Sequence, residues 1–264
     1  MLQRREDVLD PARANALAAT LVIERVFATD DALPAFFHQI YFWDAQPPDL
    51  LGRDGHPQVG GLIPDTGLPR RMWAGGKLVF HAPLRAGNLA RKTSLCESVV
   101  PKQGRSGPLA LVRLRHELWQ DDVLCVTEWQ DLIYREDWNG TALPRLTVKA
   151  EENADSMRSA GFSPTLLFRY SALTFNGHRI HYDLPYAKTV EGYGGLVVHG
   201  PLLAQLLILM AEEELGSLAA FRFRATAPVM HDEAVTLCRS GGRLWVRGPD
   251  GRQCMTAQAR PISE

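Results

Sequence analysis

Asn176, His178, His181, Tyr182 and Asp183 crowd into one short stretch, and each can orient a water or handle a proton. An unperturbed imidazole titrates at roughly 6.5, so His181 suits proton transfer near neutrality. Asn176 accepts no proton there, but its amide can orient a water. A little further on, Val197-Val198-His199-Gly200-Pro201 opens an almost wholly apolar run. A glycine N–H at the start of a helix can approach an oxygen closely and stabilise negative charge on it, by hydrogen bond and dipole together. The two elements point to chemistry at a carbonyl held against a helix N-terminus.

Blander roles compete at each position. A lone histidine is more often structural than catalytic, but His178, His181 and His199 fall close together beside one helix start. His178 stands between support of the site and loop packing, and His199 is expected to orient its turn through its side chain, with its backbone mattering more than its imidazole. The spacing His178-x-x-His181-x-Asp183 could ligate a metal. No third strong ligand is fixed by sequence, so no metal is expected. Trp73, Trp43 and Tyr41 read as core or pocket lining. The pairs Gly60-Gly61 and Gly75-Gly76 match no phosphate-cradling loop.

The elements that must carry these groups are legible in part. Pro201 suits a first helical position and Gly216 a C-terminal stop, giving a helix over Pro201–Leu215. Leucines, Ile208 and Met210 cover most of its circumference, so it is expected to be buried. Glu212-Glu213-Glu214 oppose the helix dipole and need solvent or partners from elsewhere. Strands are expected over Ala219–Pro228, Glu233–Arg239, Arg243–Val246 and Gln253–Arg260, with Ser-Gly-Gly and Pro-Asp-Gly turns between the last three. Thr165 to Tyr170 reads as a strand, with Ser171 capping a turn into the polar motif.

The first half repeats this order less cleanly. Asp10-Pro11 starts a helix through about Leu21, and Leu33–Phe42 is a second apolar segment. A Pro/Gly-rich stretch, Gln46–Arg71, precedes strands around Leu78–His81, Ala90–Val100, Leu109–Trp119 and Val123–Tyr134. The polar segment Asp137–Asp155 reads as a linker between units 1–140 and 141–264. A buried helix followed by an antiparallel sheet, twice, is an α+β plan. A curved sheet wrapped round a central helix buries Pro201–Leu215 most simply, which is a tandem (double) hot-dog fold.

Bulk properties exclude several classes. With 45% hydrophobic and 22% charged residues the chain is an ordinary globular one, and its net charge of −1 supplies no basic excess for nucleic acid. No window suits a membrane span, and the N-terminal residues lead into a helix-like segment rather than a signal peptide. The four scattered cysteines suggest free thiols in a reducing cytoplasm.

The chain resembles the MaoC-like hydratase/dehydratase superfamily, and within it the branch of mitochondrial-type 3-hydroxyacyl-thioester dehydratases and mesaconyl-C4-CoA or itaconyl-CoA hydratases. Leu173-Thr-Phe-Asn-Gly-His-Arg-Ile-His-Tyr-Asp183 with Val198-His-Gly-Pro201 carries the resemblance, as does Leu68-Pro-Arg-Arg-Met-Trp-Ala-Gly-Gly76. It implies that His181 is the catalytic histidine and that Asn176 stands where the superfamily has an aspartate. It also implies that Gly200 binds the thioester oxygen. His178 and Arg179 replace the family's Asn-Pro pair.

The resemblance implies a hydro-lyase that hydrates an α,β-unsaturated acyl thioester, with no cofactor and no metal. The substrate would be an acyl-CoA such as mesaconyl-C4-CoA or itaconyl-CoA, or alternatively a 3-hydroxyacyl-ACP or 3-hydroxyacyl-CoA of fatty-acid metabolism that the enzyme dehydrates. Arg179 could hold a substrate carboxylate or merely pin its loop. Arg70 and Arg71 could meet CoA phosphates or a carboxylate, or be solvated surface arginines, with Tyr182, His178, His199 and Trp73 lining the substrate site. Further assembly into a homo-oligomer is expected. Two other readings stay open: a hot-dog thioesterase, disfavoured because Gln205 on the central helix is not acidic, and an inactive thioester-binding subunit.

Overall fold

The computed structural model describes residues 2–104, 107–138, 140 and 147–262. Residue 139 and residues 141–146 of the expected linker, and with them the boundary between 140 and 141, lie outside the described residues.

Among the described residues ten strands form one antiparallel sheet. They are β1 (Leu2–Val8), β2 (Arg70–Phe80), β3 (Leu89–Gly104), β4 (Gly107–Gln120), β5 (Val123–Arg135), β6 (Ser156–Ala160), β7 (Leu218–Ala225), β8 (Val235–Ser240), β9 (Arg243–Arg247) and β10 (Gln253–Pro261). Their spatial order is β1-β3-β4-β5-β2-β7-β10-β9-β8-β6, so the strands of the two halves stay separate and meet only where β2 pairs with β7. At that seam Gly76 has no room for a side chain: a Cβ would lie 2.9 Å from the Phe223 ring and 2.8 Å from the Trp129 carbonyl. Close packing thus accounts for glycine at this position inside β2, which starts at Arg70, earlier than the expected Leu78.

Among the described residues four α-helices pack on or beside this sheet: α1 (Pro11–Thr20), α2 (Pro164–Thr174), α3 (Leu184–Thr189) and α4 (Gly200–Leu215). The long apolar helix α4 is buried as expected and runs under β7, β8, β9 and β10. Its acidic end is paired: Glu212 accepts from the Ala35 N–H, Glu213 meets Arg158, and Glu214 meets Arg158 and Arg239. In the first half α1 is capped by Asp10, starts at Pro11 and packs on α2 and the short turn Phe37–Ile40.

Two local expectations change. Thr165 to Tyr170 is helical, not a strand, and Ser171 lies inside α2 rather than capping a turn. Ser163 caps this helix by accepting from Leu166 N–H, Pro164 takes a first-turn position, and Leu167, Tyr170 and Ser171 turn one face inward at helical spacing. The N-terminal residues form an edge strand on β3, where half-exposed charged side chains hide any apolar alternation.

Candidate active site

The polar motif follows α2 directly. Phe175 ends the helix in a left-handed conformation, and the Asn176 side-chain oxygen then accepts from the His178 N–H at 3.0 Å. This turn leaves the Asn176 Nδ2 group without a partner among the described residues. A single turn, Arg179–His181, brings the chain back to Val197, whose N–H donates to the Ile180 carbonyl at 2.9 Å.

The Val197 carbonyl in turn lies 2.7 Å from His181 Nδ1. A carbonyl only accepts, so Nδ1 carries the proton and Nε2 keeps a free lone pair. Burial pushes the His181 pKa down to about 3 against the pull of that carbonyl, so the ring is neutral at pH 7. His199 stacks on it with centroids 3.6 Å apart and is itself tied to Ser171 Oγ at 2.8 Å. The imidazole of His199, not only its backbone, therefore holds the orientation of His181.

Gly200 follows His199 directly and begins α4. Its N–H has no partner among the described residues, and Pro201 next to it has no N–H to compete. The Trp73 carbonyl of β2 faces this point, 3.7 Å from where a Cβ on Gly200 would stand. A lone-pair nitrogen on His181 and an open helix-start N–H one residue beyond the His199 ring stacked on it thus belong to the same corner of the fold.

The Pro/Gly-rich stretch before β2 contributes groups that the motif reading did not include. The Asp54 carbonyl accepts from the Arg179 N–H at 2.9 Å, and Gly55 lies against Gly177 backbone to backbone. Asp54 holds His56 Nδ1 at 3.1 Å, and the His56 ring lies 4.6 Å from His178, which lies 5.4 Å from His181. Burial alone would raise the Asp54 pKa, but the hydrogen bond and charge of His56 hold it below the usual range. Burial lowers His56 and His178, with the Arg71 charge adding to both. The only sequence signal was a titratable Asp-Gly-His triplet inside an otherwise loop-like stretch.

Other residues singled out from sequence separate clearly. Arg179 is committed: it donates to Asp183 at 2.7 and 3.0 Å and to the Arg53 carbonyl at 3.1 Å, and it stacks on Tyr186. Arg70 is buried and paired with Glu191 at 2.6 Å, remote from any phosphate-binding role. Asp183 caps α3 and Tyr182 bonds the Gly177 carbonyl, so His178-x-x-His181-x-Asp183 does not converge on a metal. Trp73 donates to the Gly75 carbonyl and packs edge-on against Phe36 beside the Gly200 end of α4. Gln205 is fully buried and gives its Nε2 to the Ala35 carbonyl at 3.1 Å.

A ten-stranded sheet in two sequential sets of strands, a buried helix under the second set and this histidine–glycine arrangement define a double hot-dog hydro-lyase. The chain belongs to the hydroxyacyl-thioester dehydratase type 2 family, whose model matches residues 36–231. It is 44% identical over 260 residues to the mesaconyl-C4-CoA hydratase of Chloroflexus aurantiacus, covering 96% of this chain and 92% of that one. It is 27% identical to the mitochondrial hydroxyacyl-thioester dehydratase type 2 of Schizosaccharomyces pombe, covering 80% of this chain and 79% of the relative.

Among solved structures, HtdX of Mycobacterium tuberculosis superposes with a TM-score of 0.70 at 16% identity, covering 99% of this chain and all of the other. A second M. tuberculosis protein, described as a double hot-dog fold, gives a TM-score of 0.57 at 14% identity over 98% of this chain and 94% of the other. The expected fold class and superfamily both stand. No helix among the described residues is long and apolar enough to cross a membrane.

Proposed function

We propose that this chain hydrates an α,β-unsaturated acyl-CoA bearing a second carboxylate, with mesaconyl-C4-CoA as the reference substrate, and runs the reverse dehydration. The observation that carries this reading is the 44% identity to a mesaconyl-C4-CoA hydratase along nearly the whole of both chains. The free Nε2 of His181 beside the open Gly200 N–H supports it.

The thioester oxygen seats on the Gly200 N–H at the start of α4. A water lies between His181 Nε2, which accepts from it, and Asn176 Nδ2, which donates to its oxygen. His181 takes one proton as the water oxygen bonds to the β-carbon. The electron pair of the double bond moves towards the thioester oxygen, where the N–H and helix dipole stabilise the enolate. The imidazolium then returns its proton to the α-carbon, which restores the thioester. Burial keeps His181 neutral before the reaction, so Nε2 is available to accept the proton of the water. A positioned base of this kind contributes on the order of a hundred- to ten-thousandfold, and one oxyanion donor roughly a hundred- to a thousandfold.

In this scheme residues 141–264 form the catalytic unit, and residues 1–140 cover it through the Asp54–His56 loop and β2. CoA is favoured over an acyl carrier protein, since the 44% identical relative is named for a CoA ester. Hydrolysis of the thioester is disfavoured because Gln205 is uncharged and its amide nitrogen is already spent on Ala35. Offering mesaconyl-C4-CoA, itaconyl-CoA and crotonyl-CoA to the purified chain tests the reading. Hydration appears as loss of enoyl absorbance without release of free CoA, whereas free CoA or an unchanged enoyl signal would overturn it.

A further inference from the structure

The reaction above uses His181, Asn176 and Gly200 and leaves two polar groups beside them unemployed. One is the Arg71 guanidinium, which makes no ion pair or hydrogen bond with any described residue. Its charge nevertheless acts on Asp54, His56 and His178. The other is His178 Nε2, which is buried without a partner in a side chain only 6% exposed. Arginine only donates, so the group missing from this corner is an acceptor.

Asp54, His56 and His178 each bring a ligand atom within 4.8 Å of the others, a spacing that a metal ion could also use. The chemistry of the corner opposes a cation. Arg71 adds a like charge beside all three residues, and the two Asp54 oxygens are turned to the His56 N–H and Nδ1, each at 3.1 Å. An anion meets the opposite situation: an unpaired guanidinium and a buried imidazole nitrogen able to donate.

We propose that Arg71 and His178 Nε2 bind a carboxylate carried on the β-carbon of the substrate, and so select dicarboxylic acyl-CoA over simple enoyl-CoA. This rests on the reading that an acyl-CoA is hydrated here. Spacing along β2 supports it. The Trp73 carbonyl borders Gly200, and Arg71 lies two residues back along the strand, ~7 Å from Trp73 and with its side chain on the same side of β2 as that of Trp73. A four-carbon skeleton spans about 4 Å between its carboxyl carbons, and a hydrogen bond of ~3 Å at either end bridges the remainder. A thioester oxygen on Gly200 thus leaves the far carboxylate within reach of Arg71. Mesaconyl-C4-CoA carries its free carboxylate on that β-carbon, beside the methyl group. Arg179, whose guanidinium is already shared between Asp183 and Arg53, is not needed for this role.

Succinyl-CoA and butyryl-CoA test this directly, because neither has a double bond to hydrate and only the first carries the carboxylate. Calorimetric titration of the intact chain should show succinyl-CoA binding about 10- to 100-fold more tightly. Arg71→Gln should abolish that preference with butyryl-CoA affinity unchanged, and Arg71→Lys should keep part of it. A chelator should change neither value. Equal binding by the wild type, a preference that survives in a folded Arg71→Gln, or a preference lost on chelation would overturn the subsite. A preference without hydration of mesaconyl-C4-CoA would strike the functional reading alone, and hydration without preference would strike the subsite alone.

Discussion

Replacing His181 by asparagine separates its two nitrogens. In the wild type Nδ1–H is fixed to the Val197 carbonyl at 2.7 Å, and Nε2 is the free one. An asparagine amide can place its Nδ2–H near the position of Nδ1 and keep that hydrogen bond, worth about 1 kcal/mol net. It has no atom at the Nε2 position. The missing ring atoms leave a small void against His199, whose ring lies 3.6 Å away, at a cost of roughly 1–2 kcal/mol. Chemistry should fall much further, by a hundred- to ten-thousandfold in kcat, which is the usual contribution of a positioned base. Thermal melts and initial rates of enoyl-CoA hydration on the same preparations measure both effects. A folded variant within tenfold of wild-type kcat would refute the assignment of Nε2 as the base.

Four further outcomes are expected. Burial pushes both His181 and His116 down to about 3, so each binds its proton only in the unfolded chain between there and about 6.5. Their contribution is complete above pH 6.5 and is lost as pH falls, by about 1.4 kcal/mol per pH unit each. Glu212 runs the other way over part of that range and offsets one of them, so urea melts showing constant stability from pH 6.5 to 5 would contradict the burial of these rings.

Burial raises Glu212 itself to about 7, against the pull of the Ala35 N–H, so its ionisation destabilises the fold as pH climbs through that value. Glu212→Gln should therefore gain up to about 3 kcal/mol relative to wild type on going from pH 5 to pH 8, read from paired melts. Gly55→Ala would put a Cβ 2.0 Å from the Gly177 carbonyl at a backbone φ of +88°, and should cost more than about 2 kcal/mol in a denaturant melt while lifting Asp54 and His56 off the site. Arg179→Gln should lower the melting temperature but leave the preference for mesaconyl-C4-CoA over crotonyl-CoA unchanged; loss of that preference would return carboxylate binding to Arg179.

The legible parts of the sequence were those whose signals are local. Pro201 and Gly216 bracket α4, and its apolar circumference announces burial; the Ser-Gly-Gly and Pro-Asp-Gly turns mark the last three strands. In α2, Leu166-Leu167-Phe168 suits a strand as well as a helix, and the Ser163-Pro164 start decides for the helix. Of the candidate site, His181, Asn176 and Gly200 come from one stretch of chain. Asp54 and His56 do not: they reach His178 only through the folding of a loop far away in sequence. Arg179 looked free for a ligand, but its partner Asp183 is one helical turn on and Arg53 comes from that same distant loop. Neighbouring Arg70 and Arg71 cannot be told apart in sequence; in the fold Arg70 pairs with Glu191, whereas Arg71 has no ion-pair partner among the described residues and its charge acts on His178.

Conversion of mesaconyl-C4-CoA in isotopically labelled water, followed by mass spectrometry of the intact acyl-CoA, tests the central claim most directly. The wild type should yield an acyl-CoA heavier by one labelled water, with the label in a hydroxyl on the β-carbon, and His181→Asn should leave the substrate unchanged. Release of free CoA, no conversion by the wild type, or equal conversion by the variant would contradict hydration by His181.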